Sequence, residues 1–311
     1  MRLRLVSLLV GFSVVLASSS FSHAQTDLQG LGTTGKVELV QDGFQFVEGP
    51  AKTPDGAVYF TDIPANTIHR MTMREGNTSI DVFVTPSGHA NGLMYGGENR
   101  LLACQMDGQL VAYDLTSKAM TVLAGQYGGK RFNACNDLVI DRQGGVYFTD
   151  PRFRAPEPWP QGTEAFYYVD TEGNVTRLGD DLPAPNGIAL SPDESTLYVI
   201  PSMQKQMMAY PVLGPGKIGK GKVLCELKQP AGRDNGGGDG LSIDVKGNLY
   251  ITSALGIQVF SPDGQLLGII EVPQQPANCT FAGEDDRTLI ITARTGVYRC
   301  RMPVPGHQYR R

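Results

Sequence analysis

Six polar residues punctuate the chain of 311 residues: Glu48, Asn91, Asn136, Asn186, Asp239 and Asn278. Successive members lie 43, 45, 50, 53 and 39 residues apart. Each heads the same kind of unit: a short strand, a Gly/Asp/Pro turn and a second apolar strand. Together they offer two carboxylates and four amides, an oxygen-only set without thiolate or imidazole. Hard cations suit such a set, and Ca²⁺ takes roughly six to eight oxygens in tolerant geometry. Zinc favours His or Cys, while Mg²⁺ and Mn²⁺ fit a ring that keeps waters. Two negative charges against one dication leave a nearly neutral site, which limits its desolvation cost. The expected cofactor is therefore one divalent metal, Ca²⁺ first, with Mn²⁺, Mg²⁺ and Zn²⁺ as alternatives. Taken singly, Asn-Gly and Asp-Gly are turn residues. Turn chemistry does not explain why all six heads begin a strand pair in phase.

The elements that must carry these heads are clearest around Asp239, in GGGDGLSIDVKGNLYIT (236–252). Leu241 to Asp244 alternates apolar and polar residues, as a half-buried strand does. Lys246-Gly247-Asn248 turns the chain, and Leu249 to Thr252 reads as a strand packed on both faces. A third strand follows in every unit: TIHRMT (67–72), GQLVAYD (108–114), AFYYVD (165–170), QMMAYPV (206–212), GIQVFSP (256–262) and GVYRC (296–300). A fourth precedes each later head, as in SIDVFV before Asn91 and KVLCEL before Asp239. Units of four strands at this period are propeller blades. The fold class is all-β, a six-bladed β-propeller in which the heads converge on one axis. The last unit lacks a fourth strand, and Lys36–Val40 (KVELV) is the spare one. It is expected to join the blade begun by Asn278 and close the ring.

Met1 to Ala24 has a basic start, an apolar run too short to span a bilayer, and a small-x-small end, Ser22-His23-Ala24. It reads as a signal peptide cleaved after Ala24, which implies a periplasmic or secreted protein. Residues 25–35 read as a flexible lead-in, and 36–311 as a single propeller domain. Removing residues 1–24 takes Arg2 and Arg4 and no acid, so the formal charge of −4 becomes −6. That balance does not invite nucleic acid, and no later segment is apolar enough to span a membrane. The five cysteines, at 104, 135, 225, 279 and 300, show no CxxC spacing and leave disulfides open. Three insertions interrupt the units: Gly125–Ala134, Pro151–Gly162 with the only tryptophan, Trp159, and Gln229–Gly238. Two of them lie just before heads and should rise over the head face. The Trp159 segment is expected to leave its blade on the opposite heading and to fold back as a partial lid.

Several motifs carry a resemblance. EGP (48–50), RFNACNDLVID (131–141), YFTDP (147–151), PNGIALSPD (185–193), DGLSID (239–244) and NCTF (278–281) resemble, in order and spacing, the family of senescence marker protein, gluconolactonase and luciferin-regenerating enzyme. The resemblance covers residues 36–300. It implies a six-bladed propeller with a divalent metal in its channel, and hydrolysis of lactones or related esters and organophosphates. It also implies Glu48, Asn136, Asn186 and Asp239 as metal ligands, and Arg131 and Asn133 as substrate contacts. A metal with open positions would polarise the carbonyl and steady the oxyanion. Asp239 is the candidate catalytic base; direct attack by Asp239, or by metal hydroxide, stays open. Asn91 and His89 are further candidates for holding a small-molecule substrate, and His89 reads equally as a hydrogen-bonded loop residue. Without GxSxG, and with only His69, His89 and His307 beyond residue 24, a serine hydrolase finds no support. The rival reading is a non-catalytic binding propeller with a structural metal.

Overall fold

The computed structural model describes residues 24–74 and 77–309, and they form an all-β chain. The expected signal peptide lies outside the described residues except for Ala24. Among the described residues no helix is long and apolar enough to cross a membrane. Six antiparallel sheets follow one another along the chain, five of four strands and one with a short fifth. Their innermost strands are Val47–Lys52, Ala90–Tyr95, Leu138–Ile140, Pro185–Leu190, Leu241–Ile243 and Pro276–Ala282. Each of these six touches the next, and the last touches the first. The result is a six-bladed propeller with the head residues at the leading ends of its inner strands.

The strands form where the sequence places β-branched and aromatic residues that fit a pleated, covered surface. Second strands such as Val58–Asp62 and Leu249–Ser253 are buried throughout, because neighbouring blades cover both faces. Outer strands such as Asn77–Val84 alternate far less and are largely exposed. The core is therefore a set of layers between blades. Phe132, Phe148 and Tyr167 fill the layer between blades 2 and 3. Tyr250, Phe281, Leu289 and Ile291 fill the layer between blades 5 and 6. All five cysteines are buried within such layers and unpaired.

The N-terminal strand closes the ring as expected. Glu38–Gln41 runs antiparallel to Gly296–Arg301, with Leu39 opposite Tyr298 and Glu38 opposite Arg299. The flexible lead-in is corrected. Asp27–Leu28 and Gly32–Thr33 form a small hairpin, and Leu28 is fully buried beside Ile257 and Ile270. Leu28 and Leu31 pack this otherwise polar, Gly/Thr-rich segment against the core, and Gln29 N donates to Leu267 O.

The Trp159 segment also needs a correction. Its blade runs down Leu138–Ile140 and back up Val146–Asp150, so residue 151 already stands on the head face. The segment starts there and has no need to fold back. Trp159 Nε1 donates to Glu157 Oε1, and the Arg152 guanidinium lies over the indole at 5.2 Å. At the opposite face residues 302–309 cross the bottom of the channel. There the backbone N–H of Gly306 donates to Asp286 O, that of His307 to Ile243 O, and the Tyr309 hydroxyl to Leu190 O.

Candidate metal centre

Where the inner strands converge, backbone meets backbone. Gly92 N donates to Asn136 O at 2.8 Å, Gly187 N to Asp239 O at 2.9 Å, and Gly240 N to Ala277 O at 2.8 Å. Such contact explains the glycine after most heads. A Cβ on Gly49 would lie 2.0 Å from Asn91 O, and one on Gly240 would lie 2.1 Å from Asn278 Cγ. Glycine is therefore required by the crowding of the axis more than by turn geometry. Threonines of the second strands fasten the ring from outside. Thr61 Oγ1 donates to Asn91 O, Thr149 Oγ1 to Asn186 O and Thr252 Oγ1 to Ala277 O, each reaching the next blade.

The side chains converge as well. Asn186 Nδ2 donates to Asp239 Oδ1 at 2.6 Å and to Ser202 Oγ at 3.0 Å. Glu48 is 3 % exposed, and burial pushes its carboxyl well above the usual range. The negative charges of Asp239 and Asp137 push it further in the same direction. Burial raises Asp239 to about 6, against the pull of the Asn186 amide and the Arg294 charge. Asp239 nonetheless keeps part of its surface open to solvent. Asp137 is raised to about 7 by burial, although Leu138 N donates to it at 2.9 Å. Asn278 lies beside both Glu48 and Asp137. Asn91 and Asn136 are each 4 % exposed, and among the described residues neither amide finds a hydrogen-bond partner.

Three carboxylates raised by burial, beside two amides without a hydrogen-bond partner, suit a bound cation. No group of three or more His, Cys, Asp or Glu that could hold a metal is found among the described residues. Glu48 and Asp239 bring charge to this region, and Asn136 and Asn186 bring amides. Amide and carboxylate oxygens are hard donors.

The other sequence candidates fall differently. Asn91 joins the ring. His89 stays on the rim, its Nδ1 3.0 Å from Asp107 Oδ1 and its backbone N–H held by Asn66 Oδ1. Arg131 is exposed and turns its guanidinium onto the carbonyls of Phe132, Asn133 and Met106. Asn133 is fully buried, and its amide is consumed within the protein. It donates to Asp150 O and Thr163 O and accepts from Gln161 N, pinning the Trp159 segment to the head face. Above the ring, Ile63, Met106 and Ala134, with Phe46 and Phe153, form an apolar wall. Below it a cavity of about 310 Å³ runs from Asp137 and Asn278 down to His307 and Tyr309.

A closed six-bladed ring agrees with what comparison with known proteins finds. Residues 46–295 match the SMP-30/gluconolactonase/LRE-like region. The chain belongs to the SMP-30/gluconolactonase/LRE-like family. A gluconolactonase of Zymomonas mobilis is 31% identical over 302 residues, covering 89% of this chain and 84% of the relative. A 6-deoxy-6-sulfogluconolactonase of Pseudomonas putida is 28% identical over 242 residues, covering 76% and 78%. A solved gluconolactonase of Xanthomonas campestris superposes with a TM-score of 0.81 at 28% identity, covering 93% of this chain and 99% of that one.

Within this family member, sequence reasoning passed over three kinds of residue. Asp137 heads no unit and carries no assigned role in the motifs, yet it stands among the hub carboxylates. Arg294 carries no motif and was not singled out. Asp62 and Asp150 each cup two backbone N–H groups just ahead of their own blade's head, Gln45 and Phe46 in one case and Asn133 and Ala134 in the other. The signal for that pair was present: VYFTD occurs at 58–62 and again at 146–150.

Proposed function

We propose that this chain is a metal-dependent hydrolase of lactones, acting on a sugar lactone of the gluconolactone kind or a related ester. The observation that carries the reading is the hub itself, where Glu48 lies within the field of Asp239, Asn186 bonds to Asp239, and Asn136 heads the neighbouring inner strand. Membership of the family and the likeness to named gluconolactonases support the substrate class. Ca²⁺ is the first choice of ion, with Mn²⁺, Mg²⁺ and Zn²⁺ as alternatives. When bound, such an ion supplies electrophilic pull on an ester carbonyl.

The residues divide the remaining work. Asn186 engages Asp239 Oδ1 and fixes the carboxylate, which leaves Oδ2 to take a proton from the attacking water. The water oxygen bonds to the carbonyl carbon, the ring C–O bond breaks, and the proton passes to the departing alkoxide. Asn91, with its amide unpaired, is placed to hold a substrate hydroxyl. The apolar wall of Phe46, Ile63 and Met106 limits water above the reacting bond. The character of residues 1–24 supports export to the periplasm or beyond.

The test is hydrolysis of glucono-1,5-lactone by mature protein before and after chelation with EDTA, with Ca²⁺, Mn²⁺, Mg²⁺ and Zn²⁺ added back. Chelation should abolish turnover and one of the four ions should restore it. Asp239→Asn should lower kcat by roughly 100-fold or more. Turnover unchanged by chelation, or absent on every lactone tried, would sink the reading.

A further inference from the structure

We propose that Arg294 is the specificity residue of the mouth, holding a carboxylate, sulfonate or phosphate that the lactone carries away from its scissile ester. This rests on the hydrolase reading above and names its substrate class more narrowly.

The argument begins with placement. Arg294 lies in the turn between Thr288–Ala293 and Gly296–Arg301, on the head face of blade 6. Its carbonyl accepts the N–H of Val47 at 2.8 Å, so its backbone is fixed one residue from Glu48. Its φ of +50° is an uncommon one for a side-chain-bearing residue, and the surroundings hold it there. Thr295 N donates to Gln274 Oε1 at 2.9 Å and Thr295 O accepts from Phe44 N at 3.1 Å. The guanidinium rests over the Phe46 ring at 5.5 Å and gives one hydrogen bond, 2.7 Å, to Gln275 Oε1. Gln275 precedes the inner strand that carries Asn278. The charge is thus aimed between blades 1 and 6, above the hub, and is felt at Asp239.

The rest of the guanidinium is uncommitted. Arginine has five N–H donors, and a planar pair of them matches an oxyanion. Among the described residues no carboxylate forms an ion pair with Arg294. Of the other head-face arginines, Arg131 is occupied by three backbone carbonyls and Arg152 by Glu164 at 3.8 Å and by Trp159, while Arg154 and Arg233 stand exposed on the insertions. A neutral lactone has no use for a fixed cation at the rim. A lactone with a distal anion would find the carbonyl directed to the hub, the apolar wall against its carbons and Arg294 at its charged end.

The experiment compares D-glucaro-1,4-lactone with D-glucono-1,4-lactone, which share one ring and differ by carboxylate against hydroxymethyl. Calcium-loaded wild type, Arg294→Gln and Arg294→Lys are assayed on both. The proposal expects Arg294→Gln to shift the kcat/KM ratio against the anionic lactone by roughly tenfold or more. Arg294→Lys, which keeps the charge, should recover part of the ratio. It also remains informative if the glutamine variant fails to fold. An unchanged ratio would overturn the proposal and leave Arg294 as a counter-charge to the hub carboxylates. If wild type opens neither ring, the hydrolase reading falls. Calorimetric binding of the intact glucarolactone then decides the matter separately. Binding weakened by Arg294→Gln sustains the role of Arg294, while no binding, or binding indifferent to the substitution, refutes it.

Discussion

At the scale of single residues the hub is a place where carboxylates hold protons longer than usual. Burial raises Asp137 and Asp150 to about 7 and Asp239 to about 6, and Glu48 moves in the same direction. In an unfolded chain these groups ionise near pH 4. Between about pH 4 and pH 7 the folded protein therefore binds more protons than the unfolded one. Stability of the metal-free protein must fall as pH rises through that window. Each unit of difference is worth about 1.4 kcal/mol, so the summed effect reaches several degrees in Tm. Asp193 and Asp285, held at about 2, act only in more acidic solution, while His69, held below its usual range by burial, opposes the trend inside the window as one group against four. In EDTA, Tm measured by circular dichroism should be higher at pH 5 than at pH 8. Saturating Ca²⁺ should narrow or reverse the difference, because the ion binds the ionised carboxylates and so stabilises the fold. A metal-free Tm that rises between pH 5 and pH 8 would contradict the crowded-carboxylate hub.

At the scale of elements the sequence spoke through repetition, and it was silent where a role depends on a neighbour distant in the chain. The heads and their strands were legible because each blade repeats local chemistry within about ten residues. Glu48, Asn136, Asn186 and Asp239 could be placed at one axis because each opens an inner strand. Asn133 could not be placed by motif, since its use is decided by Thr163 and Gln161 from the following segment. Arg294 was invisible for the same reason, because its meaning comes from Val47 and Phe46 at the other end of the chain. Turn chemistry fits a head-glycine pair taken singly, but at the hub the glycine is a packing requirement. That difference can be measured. Gly240→Ala, whose Cβ would overlap the Asn278 amide, should cost about 1–3 kcal/mol in urea unfolding. Gly125→Ala, whose nearest neighbour would lie at 3.7 Å, should stay within about 0.5 kcal/mol. Equal effects at the two sites would mean that the inner strands separate easily and that the hub is not tightly built.

At the scale of the whole molecule, function depends on a seam. Blade 6 is completed only when the N-terminal strand pairs with Gly296–Arg301, and the hub spans that closure with Glu48 on one side and Asn278 on the other. The ion pair of Glu38 with Arg299, at 2.9 Å, is exposed and contributes little. The seam is held instead by backbone pairing and by Val47, Phe60, Ile290 and Val297, all fully buried between the first and last blades. Truncating Val297 leaves a cavity there and lets the first and last blades part. Val169, almost as buried in blade 3, lies in the layer between blades 2 and 3, away from that closure. Val297→Ala and Val169→Ala should lose similar stability, about 1–3 kcal/mol each by urea unfolding. They should differ in cation affinity. Calorimetric titration with Ca²⁺ should find binding weakened several-fold by Val297→Ala and much less by Val169→Ala, because only the first loosens the blade that carries Glu48 from its neighbour. Equal affinity in both variants would place the hub's rigidity in each blade separately and remove the seam from the account of the site.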